Sequence, residues 1–218
     1  MRKKLDLVKP IIVAVFFAAI ATLFSGCDYY FGSGSKGVIK NYEKRERAKG
    51  YAAGKFLANN ADTKGKKLLI INSSGAKDNR YTKMLNEALK EQYGSLEEDE
   101  IRDLSSADGD FVPPKAKDIE EVLARHKDAE VVAFKDTLPE DYARLKIGKI
   151  FLFNSGSADT KHVMRDIKSG KIVGIIYTIK GVRIKSTDKV ESNPEEAFKK
   201  RYIIIDKSNV DANADYFN

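Results

Sequence analysis

The stretch Lys67-Leu68-Leu69-Ile70-Ile71-Asn72-Ser73-Ser74-Gly75 decides the fold. Four consecutive apolar residues, bounded by Gly65 and a Ser-Ser-Gly turn, have the pattern of a short strand covered on both faces, because a strand with one wet face alternates polar and apolar side chains. The period then changes. Tyr81, Met84, Leu85, Ala88, Leu89 and Tyr93 recur at three and four residues and Gly94 stops them, which predicts an amphipathic helix.

The same alternation extends in both directions. Upstream, Tyr42 to Asn59 contains no Pro and places Tyr42, Ala48, Ala52, Phe56 and Leu57 at helical spacing, with Gly50 and Gly54 weakening the helix. Downstream, Ile101 to Leu104 reads as a weak strand, Pro113-Pro114 as punctuation, and Ile119, Val122, Leu123 and His126 as a second helix stripe. Strands follow at Glu130–Phe134, Ile150–Phe153, Ile172–Ile179 and 201–205, and a short helix over Val163–Ile167 is closed by Gly170. Strands separated by helices in this order predict a three-layer α/β domain over 41–218, a mostly parallel sheet with helices on both faces. No repeat of fixed period appears, so solenoids and propellers are excluded.

Composition agrees with one globular domain. The chain has 218 residues, 42% hydrophobic, with one Cys, two His and no Trp, which excludes collagen, disulfide scaffolds and polytopic membrane proteins. With so few Cys and His the usual zinc spacings cannot be written, so no metal site is expected. The net charge is +7, but acids and bases are interleaved, and the run Glu97-Glu98-Asp99-Glu100 reads as a solvated surface. Nucleic acid is therefore not an expected partner.

The first residues carry a separate message. Arg2, Lys3, Lys4 and Lys9 precede the uncharged run Ile11 to Phe24, which at fourteen residues is short for a membrane-spanning helix and has the form of an export signal. The segment Leu23-Phe24-Ser25-Gly26-Cys27 resembles the bacterial lipoprotein cleavage box, in which a Cys after two small residues is acylated and becomes the first mature residue. That resemblance implies a signal peptide over 1–26 and a membrane anchor through acylated Cys27, whose lipid chains each gain ~0.8 kcal/mol per buried methylene. Asp28 after the Cys resembles lipoproteins kept in the inner membrane of enteric-type bacteria. The Gly-Ser alternation of Tyr29 to Lys36 predicts a flexible tether, so 27–40 links anchor to domain. Without residues 1–26, which hold four bases and Asp6, the balance is 35 bases against 31 acids, or +4.

In a parallel sheet, ligands bind beyond the carboxyl ends of the strands, so the informative loops begin at Ser73, Lys135 and Asn154. They offer Ser73, Ser74, Asp78, Asn79 and Arg80, then Asp136 and Thr137, then Asn154, Ser155, Ser157, Asp159 and Thr160. These are hydrogen-bonding groups rather than a catalytic set, since a nucleophilic Ser needs a base and His126 and His162 read as structural or surface residues on helices. The phosphate-loop pattern fails at Gly65-Lys66-Lys67, and no dinucleotide fingerprint follows Ile71. No catalytic residue and no cofactor is expected.

Together these pieces resemble the second lobe of the type I periplasmic substrate-binding proteins, the sugar-binding group. The resemblance is carried by the small-residue helix Gly50 to Leu57 leading into Gly65 to Ile71, by Tyr81, Met84-Leu85 and Ala88-Leu89 on the next helix, by Asp166-Ile167-Lys168-Ser169-Gly170-Lys171-Ile172-Val173-Gly174, and by Ser208-Asn209-Val210-Asp211. It implies ligand contacts from Tyr81, with Arg80 beside it in place of the family's Arg, from Asp136, and from Asn154 where the family has Asp. It implies a non-enzymatic lobe that binds a small polar solute, such as a sugar, for sensing or uptake on the extracytoplasmic side of a membrane. Because the tether leads almost directly into the second-lobe pattern, the lobe presents half a cleft, and a protein partner or a second copy is expected to complete it. The alternative is a structural or interaction lipoprotein that uses the lobe as a scaffold; a small hydrolase or transferase is disfavoured by the missing nucleophile and base.

Overall fold

In the computed structural model, residues 34–73, 79–101, 114–135, 138–154 and 160–217 are described. Residues 42–218 make one compact unit and residues 1–41 a separate one. The Leu-Leu-Ile-Ile run is the centre of the sheet. It forms strand β1 (Leu68–Asn72), every residue of which is buried. Around it the strands take the order β2-β1-β3-β4-β5-β6, with β2 at Leu96–Glu100, β3 at Val131–Phe134, β4 at Lys149–Leu152, β5 at Ile172–Thr178 and β6 at Tyr202–Ile205. The first five strands are parallel and β6 is antiparallel to β5.

Helices α1 (Gly34–Asn59), α2 (Arg80–Tyr93) and α5 (Pro194–Lys199) cover one face, and α3 (Ala116–Leu123) and α4 (Thr160–Ser169) the other. The alternation of strand side chains sorts the core. Leu68 and Ile70 join Leu57, Leu85 and Leu89 on the first face, and Leu69 and Ile71 join Ile119, Val122, Val163 and Ile167 on the second. Each such fully buried aliphatic side chain contributes roughly 1.5–3 kcal/mol. The predicted three-layer α/β fold is therefore the fold observed.

Helix α2 starts at Asn79, whose side chain accepts the Tyr81 N–H, and ends at Gly94, whose φ of 96° a side-chain-bearing residue rarely adopts. The α1 glycines bring two helices together. A Cβ on Gly50 would lie 2.0 Å from the Leu85 carbonyl oxygen, and one on Gly54 would lie 2.6 Å from that of Leu89. The sequence reading of these glycines as mere weakening is thus incomplete, because they let α1 rest on the backbone of α2.

Several boundaries differ from the sequence expectation. The second described strand is the acidic Leu96–Glu100, paired along β1, and Ile101, the one described residue of the expected Ile101–Leu104 strand, lies just past its end with its N–H donating to the Asn72 carbonyl. Residues 102–104 lie outside the described residues. A strand at the sheet edge needs no apolar stripe, and charges there protect its free hydrogen-bonding groups from other chains. Helix α1 begins at Gly34, so Gly34–Lys36 of the expected tether are helical, as is the rest of 37–40. Adding residues to an existing helix costs far less than nucleating one, and no Pro interrupts the segment. Helix α3 stops at Leu123, and His126 follows it in a turn whose N–H donates to the Leu123 carbonyl. Helix α5 was not anticipated, although Asn193 caps it by accepting the Glu195 and Glu196 N–H groups and Pro194 opens it.

Candidate functional site

Strands β1 and β3 are neighbours whose connections leave in opposite directions, β1 towards β2 and β3 towards β4, so a crevice opens beyond their carboxyl ends. A hollow of about 230 Å³ lies there. It takes Asn79 and Tyr81 from the start of α2, Lys135 from the end of β3, Phe153 and Asn154 from the end of β4, and Tyr42, Glu46 and Lys49 from one face of α1. A second hollow, of about 320 Å³, shares Lys49, Phe153 and Asn154 and continues past the end of β5 to Tyr177, Thr178 and Tyr202. The two form one groove along the strand ends on the α1 side of the sheet.

The side chains are placed by local bonds. Asn79 is held as the cap of α2, and the Tyr81 ring beside it packs 5.8 Å from that of Tyr42. Asn154 donates from Nδ2 to the Lys135 carbonyl at 3.0 Å, which ties the ends of β3 and β4 together. Lys135 donates from Nζ to the Thr82 hydroxyl, itself fully buried. Glu46 and Lys49 pair at 2.6 Å, and Lys49 also sits over the Tyr202 ring at 5.4 Å. Burial pushes the Tyr202 phenol above its ordinary range, against the opposing pull of Lys49, so Tyr202 stands as a neutral donor and acceptor.

The α1 and α2 side of the sheet also holds buried polar groups with an unpartnered atom. Asn72, at the end of β1, is 0% exposed and its Oδ1 has no hydrogen-bond partner. Asn86 on α2 is likewise buried, donates to Glu98 at 2.9 Å and leaves its own Oδ1 unpaired. Arg45 on α1 is 4% exposed, donates to the Lys185 carbonyl, stacks 5.3 Å over Tyr42 and keeps an unpartnered Nε.

Of the residues singled out by sequence, the structure brings Tyr81 and Asn154 to the same hollow. Arg80 is turned elsewhere: it pairs with Glu43 and its side chain is 60% exposed. Asp136 lies outside the described residues, as do Thr137, Ser74, Asp78, Ser155, Ser157, Asp159 and Cys27. Sequence reasoning names Lys135 only as the start of a loop and Tyr42 only as part of a helix stripe, and passes over Glu46 and Lys49. The α1 residues had a signal in their common helical face, whereas Lys135 looks like any surface lysine until the strand register places it. Among the described residues, the lining of the hollow includes no Ser, Cys or His. His126 is not on a helix stripe but is held at the sheet edge, with ring nitrogens 2.7 Å from Glu97 and 2.9 Å from Asp99.

A larger hollow, about 490 Å³, lies between α1 and α5. Its charges neutralise one another: Glu195 pairs with Lys199 at 2.7 Å and Lys55 at 2.9 Å, and those two lysines, Lys199 first, pull the Glu195 carboxyl down to about 2. Among the described residues no group of carboxylates, His and Cys is arranged to hold a metal ion, and no helix is long and apolar enough to cross a membrane.

No family model and no curated protein sequence matches this chain. Solved structures do. A carbohydrate transporter protein from Acidothermus cellulolyticus, in complex with myo-inositol, aligns at 17% identity with a TM-score of 0.49, covering 79% of this chain and 60% of that one. A sugar ABC transport substrate-binding protein from Bordetella parapertussis aligns at 16% identity and 0.48, covering 77% and 57%. A glucose-galactose binding protein from Geobacillus stearothermophilus aligns at 15% identity and 0.46, covering 76% and 61%. The chain thus spans about 60% of the length of the proteins it is similar to.

Proposed function

We propose that this is a non-enzymatic solute-binding lobe, held at the extracytoplasmic side of a bacterial membrane through acylated Cys27, that engages a small polar solute in the groove beyond β1, β3 and β4 and works with a protein partner or a second copy. One observation carries the reading: the groove gathers tyrosines, amides and two lysines, one of them paired with Glu46, at the crossover point of a parallel sheet. Hydrogen-bonding side chains on a mostly preformed, aromatic-lined surface suit a hydroxylated ligand, and among the described residues no acid, base and nucleophile meet there. The anchor rests on the Leu23-Phe24-Ser25-Gly26-Cys27 pattern. The partner rests on geometry, since an open groove on one lobe covers much less than the ~70–90% of ligand surface that a closed pocket buries. Tyr81, Asn154 and, on the sequence resemblance, Asp136 are the proposed ligand contacts.

The test is thermal melting of the purified full chain in detergent against sugars, polyols, nucleosides and amino acids. A ligand at about a hundred times its dissociation constant adds ~2.7 kcal/mol and raises the melting temperature by several degrees. The double variant Asp136→Ala, Asn154→Ala is expected to abolish that rise while still folding. A flat panel from a well-folded sample would replace the solute reading with the scaffold reading.

A further inference from the structure

The length of the groove narrows the class of solute. The first hollow, about 230 Å³, is smaller than the ~300–1,000 Å³ of pockets that hold drug-sized ligands. The second, about 320 Å³, is no separate site, because Lys49, Phe153 and Asn154 line both. Joined, the two fall inside that range.

The topology sets how far the groove runs. Strands β3, β4, β5 and β6 are consecutive neighbours in the sheet. Because β6 is antiparallel, its first residue, Tyr202, pairs with Thr178 at the carboxyl end of β5. Lys135, Asn154, Thr178 and Tyr202 therefore mark four adjacent strand ends, and at ~4.8 Å per strand the row is about 14 Å long. A single sugar ring is about as wide as one such spacing, so it occupies one end of the row and leaves the other open. Helix α1 flanks both parts: Tyr42, Glu46 and Lys49 share one helical face, with Tyr42 lining the first hollow alone and Lys49 lining both. The two ends differ in chemistry. The first offers Asn79, Tyr81, Lys135 and Asn154, groups that hydrogen-bond to hydroxyls. The second offers the buried side chains of Ile176 and Tyr202 with the exposed Thr178 beside them, a more apolar wall that takes the C–H face of a sugar or the flat face of a base.

We infer that the solute has two rings, a sugar joined through a glycosidic bond to a second ring that is itself a sugar or a base. The sugar meets Asn79, Tyr81 and Asn154, and the second ring lies past Lys49 and Phe153, against Ile176, Thr178 and Tyr202. The inference rests on the solute-binding reading above and deepens it.

Calorimetric titration of the full chain in detergent separates the cases, with D-galactose, D-glucose and D-ribose as one-ring probes and lactose, maltose and adenosine as the two-ring compounds that contain them. At least one two-ring compound is expected to bind about tenfold or more tighter than the free sugar it contains. Lactose or maltose in that role identifies the second ring as a sugar, and adenosine identifies it as a base. Excess free sugar is expected to displace the two-ring compound, since both place a ring in the first hollow; simultaneous binding of the two would overturn the inference. Thr178→Trp fills the second hollow from an exposed strand position that suits an aromatic residue. It is expected to bring the two-ring compound down to the affinity of its free sugar, with the free sugar's affinity and the melting temperature unchanged. Thr178→Ala, which leaves the hollow open, should keep the preference within about threefold of wild type. A folded Thr178→Trp chain with the preference intact would overturn the placement of the second ring. Free sugars binding as tightly as every two-ring compound would overturn the inference and leave the solute reading standing, and binding of none of the six would overturn it together with the reading beneath it.

Discussion

The two faces of the sheet bury aliphatic side chains from the same strands, yet they differ in how completely their buried polar atoms are paired. Under α3 and α4 the buried Asp166 carboxylate accepts the Tyr142 hydroxyl at 2.8 Å and lies 3.2 Å from Arg165, so both oxygens have partners. Under α1 and α2, Asn72 Oδ1, Asn86 Oδ1 and Arg45 Nε have none. An unpaired buried polar atom costs about 1–3 kcal/mol. A face that carries three of them is poorly optimised for stability, and it is the face on which the groove opens. The α3 and α4 side holds the fold together; the α1 and α2 side holds it together while keeping polar groups available.

Substitutions can break or sharpen that contrast. The largest effect is expected from Gly50→Ala, because the new Cβ would sit 2.0 Å from the Leu85 carbonyl and only a shift of α1 away from α2 relieves it. A loss of roughly 3 kcal/mol, at the upper end of overpacking costs, is expected in urea unfolding. A loss below about 1 kcal/mol would mean that α1 is held by something other than this close approach. Next comes Tyr142→Phe on the opposite face, which strips the Asp166 carboxylate of its hydroxyl donor and should cost about 1–3 kcal/mol in the same assay. Asn72→Leu should cost almost nothing or add stability, since it removes an unsatisfied oxygen from a fully buried position of similar shape. If Asn72→Leu proved as damaging as Tyr142→Phe, the two faces would be equally committed to stability and the contrast would be lost.

What could be read from the sequence follows the same division. Leu68 to Ile71 announced itself because a strand buried on both faces has no polar position to hide it, and the parallel order of the sheet came from that run and its repeats. Strand β2 was illegible because Glu97, Glu98, Asp99 and Glu100 satisfy an edge strand by charge rather than by apolar pattern. Helix α5 was legible in Asn193-Pro194-Glu195-Glu196, a cap followed by Pro and acids, but its six residues carry too short a stripe to draw attention. In the groove, Tyr81 and Asn154 could be placed by counting from strand ends. So could Lys135, but its bond to the buried Thr82 hydroxyl could not, nor could the unpartnered amide oxygens of Asn72 and Asn86 on the same side of the sheet, because their meaning lies in what surrounds them.

Strand β2 carries the comparison in miniature and yields the smallest predicted effect. Its alternation sends Glu98 to Asn86 of α2, and Glu97 and Asp99 to His126 just past α3. The groups facing His126 are those two carboxylates, together with Arg125, paired to Asp99 at 2.8 Å, and the Lys67 and Asp128 pair nearby. Burial alone would lower the His126 pKa, but the hydrogen bonds its ring donates to the Glu97 and Asp99 carboxylates outweigh it and hold the imidazole above its ordinary value. Burial would raise Asp99, but the Glu100 N–H, His126 and Arg125 outweigh that and hold it below the usual carboxylate range. A raised His stabilises fully below its unfolded pKa and loses the contribution as pH rises through the folded one; a lowered Asp stabilises above its unfolded pKa and loses it as pH falls through the folded one. The clip is therefore strongest between about pH 4 and 6.5, the two unfolded values. Thermal melting from pH 6 to 8.5 should show a decline of under ~1 kcal/mol, the worth of a partly exposed ion pair, that His126→Gln removes. Glu98→Gln should leave the decline in place, because its partner is an amide that does not titrate. Equal declines in wild type and His126→Gln would show that the α3 side grips β2 no more by charge than the α2 side does.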